Sequence, residues 1–198
     1  MHSAFKSNLP YAKYVKLNAL GQWYWDPGQS RSLILAAKLH AGAAQLYGES
    51  PAPLPFTRRF FAGGSMSVRG WSARTLAGNA RPDTGGSTIV ETSVEARWSP
   101  LRDAGNLWFF ETKKLSFVFF YDAGNVWSGL KQVTIGQFAM AAGLGVRYET
   151  IAGPIRFDFG WKVFDPEAQG TTKWITGKRF VADVLPNFVF HFGVGPAF

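Results

Sequence analysis

The chain has 198 residues, of which 16% are aromatic and 22 are glycine, and it has no cysteine, which excludes disulfide frameworks, thiolate metal sites and cysteine nucleophiles together. No run of roughly 18 apolar residues occurs, so a membrane-crossing helix is excluded, but a mean hydropathy of -0.05 leaves membrane-crossing strands open, because their lipid-facing and lumen-facing side chains average out. The net charge of +8 suits nucleic acid, an anionic membrane surface or a charged pore, and its basic residues are spread along the chain with no Lys/Arg block.

Residues 1–12 carry no assignable element. The start, Met1-His2-Ser3-Ala4-Phe5-Lys6, has no apolar signal-peptide core, so an exported protein is expected to have its N-terminus elsewhere. From Lys13 onward come seven segments of strand-like composition, 13–25, 32–47, 88–98, 115–127, 139–150, 154–164 and 187–198, separated by Gly, Pro, Asn, Asp and Ser, with no helical period of useful length. Side chains on a strand alternate between faces. In 88–98, Glu95 shares its face with Glu91, Ser93 and Arg97, opposite Thr92, Val94 and Ala96. In 115–127, Asp122 lies opposite Phe117, Phe119 and Tyr121. In 139–150, Leu144, Val146 and Tyr148 oppose Gly143, Gly145, Arg147 and Glu149. In 154–164, Ile155, Phe157, Phe159, Trp161 and Val163 oppose Arg156, Asp158, Gly160 and Lys162. In 187–198, Phe188, Phe190, Phe192, Val194 and Phe198 oppose Val189, His191, Gly193, Gly195 and Ala197.

A soluble antiparallel sheet with one buried face has the same alternation. Three features favour lipid instead. The apolar faces are dominated by aromatics, with 18 Phe and 8 Trp in the chain. Trp23, Tyr24, Trp25, Tyr47, Trp98 and Trp127 fall near strand ends, where an aromatic girdle sits. The strands are of the length that a tilted bilayer crossing needs.

Between the second and third strands lies a connection, 48–87, long enough to be functional or disordered. It contains Arg59-Phe60-Phe61-Ala62-Gly63-Gly64-Ser65-Met66-Ser67-Val68-Arg69-Gly70-Trp71. Two further pieces stand downstream: Gly85-Gly86 followed by Ser93-Val94-Glu95-Ala96-Arg97-Trp98-Ser99-Pro100, and Phe119-Phe120-Tyr121-Asp122-Ala123-Gly124-Asn125-Val126-Trp127. In this order they resemble the BamA/TamA family of outer-membrane assembly proteins. The loop piece resembles that family's Gly-Gly turn and lumen-folding tetrapeptide, here Val68, Arg69, Gly70 and Trp71. The resemblance implies that Arg69 is held in the lumen by Glu95 and Asp122, a sensible use of a planar guanidinium fork between two carboxylates. Taken alone, Arg69 is as readily a solvated loop arginine, and Glu95 and Asp122 an ordinary polar wall. The ending also resembles the family's insertion signal, at Phe190, Phe192, Val194 and Phe198. Pro196 departs from the usual hydrophobic choice there, and because proline cannot donate to a ladder it is expected near the seam or terminus.

The resemblance covers 13–198 and implies an all-β fold: a transmembrane antiparallel β-barrel, of which these are the seven C-terminal strands out of sixteen. Seven strands leave two open edges, which hydrocarbon penalises by several kcal/mol per unpaired group, so the chain is expected to be a fragment, a truncated product or a piece needing a partner. A periplasmic terminal Phe puts 48–87, 128–138 and 165–186 outside and the turn 150–154 inside. Connection 99–114 is then too long for a periplasmic turn. The implied function is non-enzymatic assembly, insertion or translocation of proteins in the bacterial outer membrane. The lipid bilayer and unfolded outer-membrane proteins are the implied partners, and binding of further assembly-complex proteins is left open. The alternative is a passive channel or structural barrel. A hydrolase needs a nucleophile beside a base, and His2, His40 and His191 have no motif around them; His191 falls on the lumen face and reads most simply as a polar wall residue. Nucleic-acid binding, a phosphate loop, metal ligation and a cofactor are not expected, since the required clusters and spacings are missing.

Overall fold

The computed structural model describes residues 11–198 except 51, 102–103 and 108–109. Most of the unassigned stretch 1–12, with His2, therefore lies outside the described residues. The strands are β1 (Tyr14–Trp25), β2 (Leu33–Leu46), β3 (Thr88–Trp98), β4 (Asn106–Leu107), β5 (Phe110–Glu111), β6 (Leu115–Trp127), β7 (Ala139–Thr150), β8 (Gly153–Phe164) and β9 (Val189–Val194). Seven of them form one sheet in the order β1-β2-β3-β6-β7-β8-β9, and every neighbouring pair is antiparallel. This is a meander in which each strand returns beside its predecessor. The sheet is not closed, and β1 and β9 each have one ladder partner among the described residues. The overlong connection 99–114 holds the small hairpin β4-β5.

The faces are inverted relative to a water-soluble sheet. Val15, Leu17 and Trp23 on β1, Leu39 on β2, Val94 on β3, Phe119 on β6, Leu144 on β7, Phe157 on β8 and Phe190 and Phe192 on β9 are exposed on one side. The opposite side buries Lys38, Glu91, Ser93, Glu95, Asp122, Arg147, Arg156 and Asp158. An apolar exterior around a charged interior is what strands in lipid require. On the outer face the aromatics interlock across β8 and β9, with ring centroids 5.3 Å apart for Phe159 and Phe190 and 5.5 Å for Phe157 and Phe192. Such cross-strand pairs contribute about 0.2–1 kcal/mol each.

What fills the inner side is the 48–87 connection. Leu54, Phe60, Ala62, Val68, Trp71 and Leu76 from this loop pack on Ala44, Ile89, Val126, Ala139 and Ala141 of the strands. The loop is thus a large part of the apolar core, folded back over the concave face of the sheet.

Two expectations need correction. The last strand ends at Val194, not at the terminus. Gly195 takes φ +97, Pro196 has no N–H to give the ladder, and the tail turns inward. Phe198 therefore leaves the face of Phe190, Phe192 and Val194 and is buried at 7% exposure with Ala36 and Ala197. Its ring lies 6.5 Å from that of Tyr24 and 5.3 Å from the Arg97 guanidinium. Trp127 likewise does not belong to an exposed girdle. It is fully buried, its Nε1 donates to Gln137 Oε1 at 2.8 Å, and Phe138 covers its ring at 5.1 Å.

Candidate functional site

The turn that presents Arg69 is closed on itself. Gly63 and Gly64 take φ +93 and +108, conformations open to glycine. The Gly64 N–H donates to the Trp71 carbonyl at 3.0 Å, the Gly63 N–H to Ser67 Oγ at 2.8 Å, and the Trp71 N–H to the Val68 carbonyl at 3.3 Å. Val68 and Trp71 anchor this turn in the apolar core, and Arg69 projects between them into the wall.

Arg69 is 1% exposed. Its Nε and Nη2 donate to Asp122 Oδ2 and Oδ1, both at 2.8 Å, and its backbone N–H donates to Oδ2 at 3.1 Å. Nη1 donates to Glu95 Oε1 at 2.7 Å. Ser93 Oγ accepts from Nη2 at 3.2 Å and itself donates to Asp122 Oδ1 at 2.6 Å. The guanidinium lies 3.6 Å from the centroid of the Phe120 ring, a cation–π contact that gains strength when desolvated. The side-chain donors, the charge and the flat face of the guanidinium thus all have partners.

Glu95 serves more than Arg69. It also accepts from Arg147 Nη2 at 2.7 Å and from Arg97 Nε at 2.8 Å, and Asp158 stands 3.8 Å from Arg69 Nη1. Arg69, Arg97 and Arg147, together with Arg156, whose Nη1 lies 3.2 Å from Asp158 Oδ2, therefore face Glu95, Asp122 and Asp158. A buried set of this kind adds little net stability over an apolar core, but losing one member is costly because its partners stay buried and uncompensated.

The loop also needs room to reach the wall. A Cβ at Gly160 would stand 2.2 Å from the Arg69 carbonyl oxygen, and one at Gly70 would stand 2.8 Å from Ala141 Cβ. His191 reaches the same carbonyl, with Nε2 at 2.8 Å; since a carbonyl only accepts, that nitrogen carries the proton. Lys162 Nζ lies 4.8 Å over the Trp71 ring.

The structure thus brings together Val68, Arg69, Gly70 and Trp71 with Glu95 and Asp122. Phe190, Phe192 and Val194 face outward, away from this site, and Phe198 is buried beside Ala36. Sequence reasoning put Ser93, Arg97, Arg147 and Gly160 on inward faces without a role, and it missed Phe120 as a partner of Arg69. Among the described residues no group of His, Asp and Glu is placed to hold a metal.

A family model described as the Omp85 superfamily domain matches residues 6–198. Among solved structures the chain is similar to the crystal structure of BamA from Haemophilus ducreyi lacking POTRA domains 1-3, with a TM-score of 0.63 and 18% sequence identity. That likeness, one of fold, covers 90% of this chain and 34% of the other, so the chain spans about a third of the length of that structure.

Proposed function

The chain belongs to the Omp85 superfamily, and from that membership we propose that it forms part of an outer-membrane barrel of the bacterial cell that assembles, inserts or translocates other proteins without enzymatic chemistry. In this reading the lipid bilayer meets the aromatic face, unfolded outer-membrane proteins are the clients, and the 48–87 loop is braced in the lumen by Arg69 between Glu95 and Asp122. The remaining strands of a sixteen-stranded barrel close the sheet. Phe190, Phe192, Val194 and Phe198 act as the terminal insertion signal of the chain itself.

The observation that carries the reading is a loop arginine with 1% exposure, held by carboxylates from two different strands. An open pore gains nothing from a loop that fills its lumen, whereas a barrel that must deform for a client needs an internal support to keep its wall ordered.

The test reconstitutes the natural protein that carries this chain into liposomes and supplies an unfolded β-barrel client. Faster client folding than in empty liposomes, with little ionic conductance in planar bilayers, is the expected result. Steady conductance without client folding would assign the protein to passive channels instead.

A further inference from the structure

We infer that the turn presenting Arg69 is fastened to the wall by a second latch, made by Lys38 and Glu91, which holds residues 63–67 whether or not the arginine is in place. This rests on the reading of the loop as a lumenal brace and concerns how that brace is positioned. Lys38 lies on β2 and Glu91 on β3, both on the inward face, with Lys38 opposite Ser93 and His40 opposite Glu91 in the ladder. Each of these two strands has a ladder on both sides within this chain.

Both charges are buried, Lys38 at 6% exposure and Glu91 at 4%, and a buried charge is costly unless it is hydrogen-bonded. Each finds part of its partners in the loop. Lys38 Nζ donates to the Met66 carbonyl at 2.7 Å. Glu91 Oε1 accepts from Ser67 Oγ, and its Oε2 accepts from His40 Nδ1 at 3.1 Å. A serine hydroxyl has one hydrogen; since that of Ser67 goes to Glu91, the lone pairs of its oxygen are left for the Gly63 N–H, which donates to it at 2.8 Å. The Ser67 N–H in turn donates to the Gly64 carbonyl at 3.0 Å. The carboxylate thus orients the hydroxyl that closes the glycine turn, and the ammonium fixes the carbonyl just before it. On the other side of the turn Arg156 of β8 adds a longer contact, from Nη1 to the Ser65 carbonyl at 3.5 Å.

These groups are distinct from those that grip the Arg69 guanidinium, which are Asp122, Glu95, Ser93 and the Phe120 ring. The latch holds a backbone carbonyl and a hydroxyl, whereas the brace holds a side chain two residues further on. A turn closed in advance presents Arg69 with less conformational freedom to lose, so less of the ion-pair free energy goes into ordering the loop. Lys38, Glu91 and Ser67 are therefore positioning residues for the arginine.

Hydrogen–deuterium exchange of the natural protein carrying this chain, in liposomes, tests this, read separately over 63–67 and 69–76. Ser67→Ala and Lys38→Met should each speed exchange over 63–67 by about 2- to 10-fold, the effect of losing one net hydrogen bond, with a smaller rise over 69–76. Ser67→Thr, which keeps the hydroxyl, should return 63–67 to the wild-type rate. Arg69→Ala should show the reverse order, with 69–76 the more accelerated. An equal rise over both stretches in Arg69→Ala, or wild-type exchange over 63–67 in both Ser67→Ala and Lys38→Met, would overturn the second latch while the brace stands. Wild-type exchange over 69–76 in Arg69→Ala would overturn the brace and the latch with it.

Discussion

Gly160 on β8 lies directly beneath Arg69, so that a Cβ at position 160 would stand 2.2 Å from the Arg69 carbonyl oxygen and 3.2 Å from the Gly70 nitrogen. These are backbone atoms that cannot swing aside. Gly160→Ala is therefore expected to lift the loop off the wall without changing any charge, and to reproduce the protease sensitivity of an Arg69 variant. Limited proteolysis of the 48–87 loop checks this; full protection in Gly160→Ala would mean that the loop is not seated on β8.

Arg69→Ala leaves Glu95 and Asp122 at 0% exposure with a positive partner removed. Breaking a buried ion pair from one side costs about 3–5 kcal/mol, more than a loop is expected to withstand while docked. Both Arg69→Ala and Asp122→Ala should expose the loop to protease and impair assembly activity while the strands still form. Wild-type protection in the two variants would remove the case for a pinned loop.

Glu95→Gln should destabilise the barrel more than Asp122→Asn. Glu95 accepts from Arg69, Arg97 and Arg147, whereas among the described arginines Asp122 accepts from Arg69 alone. Three guanidinium groups then lose a shared counter-charge in one variant and one in the other. Urea titration of the folded protein, followed by the loss of its heat-modifiable band, ranks the two. Equal midpoints would show that Arg97 and Arg147 draw no stability from Glu95.

Phe159→Asp places a carboxylate on the outward face of β8, against Phe188 and Phe190, whose ring centroids lie 5.5 and 5.3 Å away. Against lipid, a charge here costs somewhat less than the roughly 2–4 kcal/mol found for Arg or Lys at the bilayer midplane, and the ring contacts are lost as well. The variant should fail to integrate and should be extracted by alkaline carbonate. Normal integration would mean that this face meets water or protein.

The sheet was readable in the sequence because each long strand alternates at period two and ends at turn-forming residues. Segments 88–98, 115–127 and 139–150 match β3, β6 and β7 to the residue. The β4-β5 hairpin was not readable, since two-residue strands carry no alternation. The last strand was overextended because parity continues through Gly195 and Pro196 while the backbone does not. For the loop site, resemblance pointed to Arg69, Glu95 and Asp122, and parity put the two acids on inward faces. Which inward residues meet across the curved sheet depends on its curvature and register. That is why the sharing of Glu95 by Arg147, the ring of Phe120 under Arg69 and the contact of His191 with a loop carbonyl left no mark in a linear pattern. Phe198 shows the same limit, since its partners Tyr24 and Arg97 lie on β1 and β3, far from it in sequence.

The most direct test of the braced-loop account is client folding by the natural protein carrying this chain in proteoliposomes, compared between wild type and Arg69→Ala at equal amounts of inserted protein. A marked fall in folded client, with the variant's own barrel still heat-modifiable and its 48–87 loop protease-sensitive, is the predicted result. Wild-type client folding with the loop demonstrably undocked would contradict the account.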